Sequence, residues 1–152
     1  MSAQYLQHLQ ETCQYATFRV QDLFFGIEVV KVQEVIRQQE MTAVPLAPHA
    51  VEGLINLRGQ IVIAIDTRRS LGLPSLEGQD QRANIVIQCD DAAVSLLVDE
   101  IGDVIDVPLD AYAPVPENMP VDQRELIECV YDVKEGLMLV LDTARLLQNA
   151  CN

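Results

Sequence analysis

The sequence predicts an all-β protein built as two small barrels packed side by side, rather than one large sandwich. Three observations lead there. About nine short apolar runs, rich in β-branched residues, recur along the 152 residues with turn-forming punctuation between them. Helical patterning is confined to a few short segments. One run is interrupted by Gly26, and glycine inside a strand marks a bulge or a close backbone approach, as a tightly curled sheet requires. Closing sheets into barrels also removes edges that would otherwise invite aggregation.

In chain order, residues 4–14 carry apolar side chains at Tyr5, Leu6, Leu9 and Cys13, a weak amphipathic stripe, so 1–14 reads as an N-terminal helical segment. Residues 15–21 alternate as a half-buried strand does, and 23–30 form a second, aromatic and β-branched run. A short helix is expected over 32–39, presenting Glu34 and Arg37. Strands at 53–57 and 60–65 flank the connection Asn56-Leu57-Arg58-Gly59, which lifts one long cation out of an apolar segment. Residues 66–71 resemble a capped turn, because the Asp66 carboxylate can accept from exposed N–H groups.

Beyond a loop at 72–81 come strands at 83–89 and 92–98, joined at Asp90-Asp91, and another at 101–107. Pro108, Pro114, Pro116 and Pro120 mark a long loop over 109–123. Strands at 126–133 and 137–141 follow, and 142–149 reads as a short C-terminal helix opening on Asp142. The expected division is 1–14, a body at 15–148 and a tail at 149–152. No flexible linker separates the halves, so they should pack rigidly and leave a groove between them.

Composition narrows function. Ten basic against 23 acidic residues give a net charge of −13, which excludes a phosphate-neutralising nucleic-acid binder and disfavours anionic lipid. Basic protein partners, or simply a solvated acidic surface, remain. No run approaches ~18 apolar residues, and the start lacks the pattern of a signal peptide, so a cytoplasmic location is expected. Cys13, Cys89, Cys129 and Cys151 are scattered without a C-x-x-C or paired histidines, so no metal site is expected.

Nor do catalytic patterns assemble. His8 and His49 have no nucleophile context, and G-x-S-x-G and the glycine-rich nucleotide loops are absent. Asp99, Glu100, Asp103 and Asp106 do not follow the spacing of a calcium loop and read as a solvated strand face. The expectation is a protein that is not an enzyme and takes no cofactor.

Four blocks in order carry a resemblance. The first runs Asp22-Leu23-Phe24-Phe25-Gly26-Ile27-Glu28-Val29-Val30-Lys31-Val32-Gln33-Glu34-Val35-Ile36. The second is Val44-Pro45, Pro48, then Val51-Glu52-Gly53-Leu54-Ile55-Asn56-Leu57-Arg58-Gly59. Leu97-Val98-Asp99-Glu100-Ile101 with Val104, and Leu139-Val140-Leu141-Asp142 with Leu146-Leu147, complete the set. Together they resemble the CheW family of adaptors, over about residues 15–148.

That resemblance implies two five-stranded, SH3-like barrels and a non-catalytic scaffold. The implied partners are the regulatory domain of a CheA-type histidine kinase and the cytoplasmic tip of a chemoreceptor, with recruitment to arrays at the inner face of the membrane. By motif, Val29 and Glu34 fall where the family meets the kinase. Val32, Gly53 and Arg58 fall near the receptor groove, and Ser95 stands close to it where the family often has glycine. Ile63, Thr67 and Cys129 are further departures, and they leave a pilus-type or other chemosensory system open beside flagellar chemotaxis.

Blander roles stay open for each residue. Val29 and Val32 also suit a core, and Gly53 a backbone requirement. Arg58 could lock the two barrels through an internal ion pair, and Glu34 could merely cap its turn. A small-ligand module using the inter-barrel groove is a further alternative, poorly served by 5% aromatic residues.

Overall fold

Strands β1 (Thr12–Val20) and β2 (Leu23–Glu28) form an antiparallel hairpin whose turn places Gln21 in the left-handed region, φ 56°. A single 3₁₀ turn, Val29–Lys31, carries the chain into β3 (Val32–Arg37). β4 (Val51–Leu57) and β5 (Gln60–Asp66) follow, then α1 (Thr67–Ser70), β6 (Ala83–Cys89) and β7 (Ala92–Val98). At Asp99 the chain bends back into β8 (Glu100–Pro108) and the two-residue β9 (Tyr112–Ala113). The last elements are α2 (Val121–Arg124), β10 (Ile127–Val133), β11 (Gly136–Leu141) and α3 (Thr143–Ala150). The computed structural model describes residues 11–37, 39–74, 82–89 and 92–150.

The strands make two sheets, each the wall of one SH3-like barrel. The first is ordered β8-β1-β2-β11-β10-β9 and the second β3-β6-β7-β5-β4. Five long strands build each barrel, as expected, and the short β9 adds a sixth to the first. The chain therefore starts in one barrel, crosses at 29–31 to build the whole of the other, and returns at Asp99.

Strands β2, β6, β7 and β11 are buried on both faces over consecutive residues and so read as near-continuous apolar runs, whereas β3 alternates and β8 lies largely exposed. A shared core takes Phe18, Phe25 and Ile27 from the first sheet and Ile65, Ile85 and Leu96 from the second. Tyr15, Phe24, Tyr131 and Met138 fill a cluster private to the first, and Ile55, Val62 and Val86 one private to the second. Gly26 lies where a Cβ would come 2.5 Å from the Met138 sulfur, so it makes room for a side chain and marks neither the bulge nor the close backbone approach expected, the β1–β2 register running through it unshifted.

The expected caps are present. Asp66 Oδ1 accepts from the Arg68 N–H at 3.0 Å to open α1, and Asp142 Oδ1 accepts from the Arg145 N–H at 3.0 Å to open α3. Three expectations are corrected. Residues 32–37 are a strand, not a helix, because Val32, Val35 and Ile36 pair with β6 and pairing outweighs a weak helical period. The run at 23–30 stops at Glu28, where the crossover begins. Of the expected N-terminal helical segment 1–14, residues 1–10 lie outside the described ones, while Cys13 and Gln14 extend β1 by pairing with Val107 and Asp106.

Three tyrosines meet in the first barrel, Tyr15 tilted against Tyr131 at 5.8 Å between ring centroids and Tyr131 stacked on Tyr112 at 4.9 Å. Burial pushes the Tyr15 hydroxyl up to about 12 and raises Tyr131 further. A hydroxyl that resists ionisation only when folded supports the fold fully below its unfolded value of 10.0 and loses that support as pH rises. Stability should accordingly fall between pH 10 and about 12, and Tyr15→Phe should flatten that alkaline limb in urea titrations at stepped pH.

Candidate functional site

The residues singled out in the sequence gather on the second barrel and on the crossover leading into it. Val29 opens the 3₁₀ turn and is half-buried, while its neighbour Val30 is 86% exposed. Val32, the first residue of β3, packs against the shared core, so its apolar contact is largely internal. Glu34 lies further along β3, opposite Val86 of β6.

Arg58 sits at the tip of the β4–β5 hairpin. Arg58 and Gly59 both have positive φ, 51° and 88°, the backbone of a two-residue turn whose twist matches the flanking strands. The Asn56 side chain accepts from the Gly59 N–H at 2.9 Å and steadies that turn. The guanidinium stands 72% exposed, and its Nη2 pairs with Glu34 Oε2.

This pair has a topological meaning. β3 and β4 are the two outermost strands of their sheet, so a contact between Glu34 and the β4–β5 turn spans the seam where the curled sheet nearly meets itself. Arg58 thus ties the second barrel to itself and does not lock the two barrels together. Glu34 is an oriented partner of that cation rather than a cap. An exposed pair of this kind contributes about 0.5 kcal/mol to stability, leaving it available for recognition.

Gly53 and Ser95 are placed differently. A Cβ on Gly53 would lie 2.8 Å from the Thr42 carbonyl oxygen, where Thr42 and Leu54 bridge through paired backbone hydrogen bonds. Gly53→Ala should therefore cost about 2 kcal/mol by forcing that strand outward, measurable as a lowered urea midpoint. Ser95 lies in β7, the middle strand of its sheet, fully buried, and its Oγ donates to Asn84 Oδ1 at 2.8 Å. It does not line a groove surface, because a central strand with both faces covered presents nothing to solvent.

A second set of groups was not legible in advance. Asp99 is not part of a solvated face: it receives Arg68 Nε at 2.9 Å and Nη2 at 2.6 Å. Burial would raise the Asp99 carboxyl, but hydrogen bonds from Arg68 and the Gln21 N–H outweigh it and hold the group below its ordinary range. No local feature marks it, since Glu100 follows directly. Nearby, Asp66 meets Arg82 at 3.2 Å and Arg69 at 3.4 Å, and Arg69 reaches Glu52 at 3.0 Å.

An apolar groove of about 330 Å³ flanks β4, lined by Val44, Pro45, Leu46, Pro48, Leu54 and Ile63 among others. Ile63 therefore stands on the surface, where it lines this groove. Among the described residues, no group of three or more His, Cys, Asp or Glu could hold a metal ion. None of their helices is long and apolar enough to cross a membrane.

Comparison with known proteins decides the family. The profile of the CheW-like domain matches residues 14–151, nearly the whole chain. The chain belongs to the CheW-like family. This CheW-like chain is 32% identical to the chemotaxis protein CheW of Bacillus subtilis over 130 residues, covering 86% of this chain and 83% of that one. It is 27% identical over 134 residues to protein PilI of Pseudomonas aeruginosa, covering 87% and 74% of the two chains. The fold matches the crystal structure of the scaffolding protein TtCheW from Thermoanaerobacter tengcongensis with a TM-score of 0.77 at 21% identity, over 86% of this chain and 89% of that one.

Proposed function

We propose that this CheW-like chain is a non-catalytic adaptor that couples chemoreceptors to a CheA-type histidine kinase in chemotaxis signalling. The observation that carries the reading is the surface around the crossover. There an exposed aliphatic, Val30, precedes a strand whose Glu34 is held by Arg58, all within a CheW-like fold. Aliphatic area supplies affinity at such a surface, while an oriented ion pair supplies register and rejects wrong partners. Val29 and Glu34 face the kinase regulatory domain; Val32, Gly53 and Arg58 shape the side that receives the receptor tip, Gly53 through its backbone. Ser95 acts there only indirectly, from within the sheet. The adaptor works in the cytoplasm, where both partners present these domains.

Calorimetric titration against the regulatory domain of each chemotaxis-type kinase in the same genome tests the reading. Saturable binding to one kinase is expected, weakened about tenfold, or 1.4 kcal/mol, by Glu34→Lys. The variant itself should unfold within about 1 kcal/mol of the parent, because the pair it breaks is exposed. The likeness to PilI favours a second reading, an adaptor of a pilus-type system, and the identity of the kinase bound separates the two. Binding to no kinase would sink both.

A further inference from the structure

The two barrels are joined by an apolar core and by a polar knot, and the knot sits at the return crossover. Asp99 is the single residue between β7 of the second barrel and β8 of the first. Its carboxylate takes Arg68 Nε at 2.9 Å and Nη2 at 2.6 Å from α1, and the Gln21 N–H at 2.7 Å from the β1–β2 turn. Arg68 Nη1 extends to Gln21 Oε1 at 3.3 Å and the Pro74 carbonyl at 2.9 Å. The Asp99 N–H donates to the Arg19 carbonyl at 3.1 Å. Arg68 is only 6% exposed.

Every part of the knot belongs to a different place in the fold. Gln21 and Arg19 lie in the first barrel, Arg68 lies in α1 directly after β5 of the second, and Asp99 links them. Apolar contact is non-directional, so the shared core resists separation of the barrels more than it resists their rotation. A planar, forked guanidinium holding two carboxylate oxygens resists rotation as well.

We propose that Arg68, Asp99 and Gln21 are positioning residues: a clasp that fixes the angle between the barrels and, with it, the surface they present together. The clasp touches no partner surface described above. Its effect on binding passes through the placement of the first barrel against the side that carries Val32, Gly53 and Arg58. The binding consequence rests on the adaptor reading; the geometric one does not.

Residual dipolar couplings of backbone amides test the geometry on the full chain, with alignment tensors fitted separately to the strands of each barrel. In the parent one tensor should describe both. In Asp99→Asn, which removes the charge and keeps the shape, the common fit should fail while each barrel still fits alone. Arg68→Lys keeps a cation but not the fork, and should give the same failure in weaker form if Asp99→Asn does not fold.

A receptor-tip fragment, proposed to seat between that side of the second barrel and the first barrel, should then bind the variants roughly threefold more weakly or worse, the range in which residues without ligand contact act. Binding of the kinase regulatory domain, on the second barrel, should hold. A single tensor for both variants, even with a lowered melting temperature, would overturn the proposal and leave the clasp a stabiliser only. So would equal weakening toward both partners. A parent protein that bound neither partner would remove the adaptor reading, and the tensors would still decide the clasp.

Discussion

Phe18→Ala lowers the unfolding free energy by about 4 kcal/mol, the largest effect expected of one substitution in this chain. The ring is fully buried, stacked on Phe25 at 5.4 Å between centroids, and set in the core that both sheets share. Removing it deletes apolar burial and leaves a cavity that rigid strands on either side cannot close. Because the cluster is common property, both barrels should be weakened by one change. Urea unfolding followed by tyrosine fluorescence, which reports mainly on Tyr15, Tyr112 and Tyr131 of the first barrel, should coincide with far-ultraviolet dichroism, which reports on both. Two separate transitions would mean that the barrels fold independently.

Asp99→Ala is expected to cost about 3 kcal/mol, though it deletes only a small, half-buried side chain. The penalty arises because Arg68 stays buried with its charge and loses the two oxygens that compensated it. The same variant carries a pH signature. A carboxyl held below its ordinary range contributes stability above the unfolded value of 3.8 and loses it as pH falls further. The parent should therefore lose stability steeply in acid, and Asp99→Ala should lose less over that window. Guanidinium titrations from pH 7 down to pH 2 check both slope and size. An unchanged acid limb in the variant would mean that other carboxylates carry it.

These two effects differ in how far the chain announces them. Phe18 lies in the run at 15–21, whose alternation already reads as a strand with one buried face. Asp99 stands beside Glu100 in an acidic stretch, and nothing local distinguishes the buried carboxylate from the solvated one. Arg68, which makes the difference, lies 31 residues earlier. The segment at 32–37 misleads in the opposite way. Val32, Val35 and Ile36 fall at helical spacing, yet β-branched side chains and a waiting partner strand make them β3.

The candidate site divides along the same line. Glu34, Gly53 and Arg58 were visible as residues, through the motif they resemble and through a cation lifted from an apolar hairpin. That Glu34 and Arg58 touch could not be read, because they meet across a seam that exists only once the sheet has curled. Ser95 was read as a groove residue; its position in the middle strand of a doubly covered sheet removes it from any surface.

By itself, then, the order of residues determined the all-β class, most strand positions, the Asp66 and Asp142 caps and the family, since these follow from period, turn chemistry and motif within short windows. Only tertiary structure decided the return crossover at Asp99, the seam pair and the clasp. Each depends on charges distant in sequence becoming neighbours, and such a contact has no local signature before the barrels close and exclude water around it.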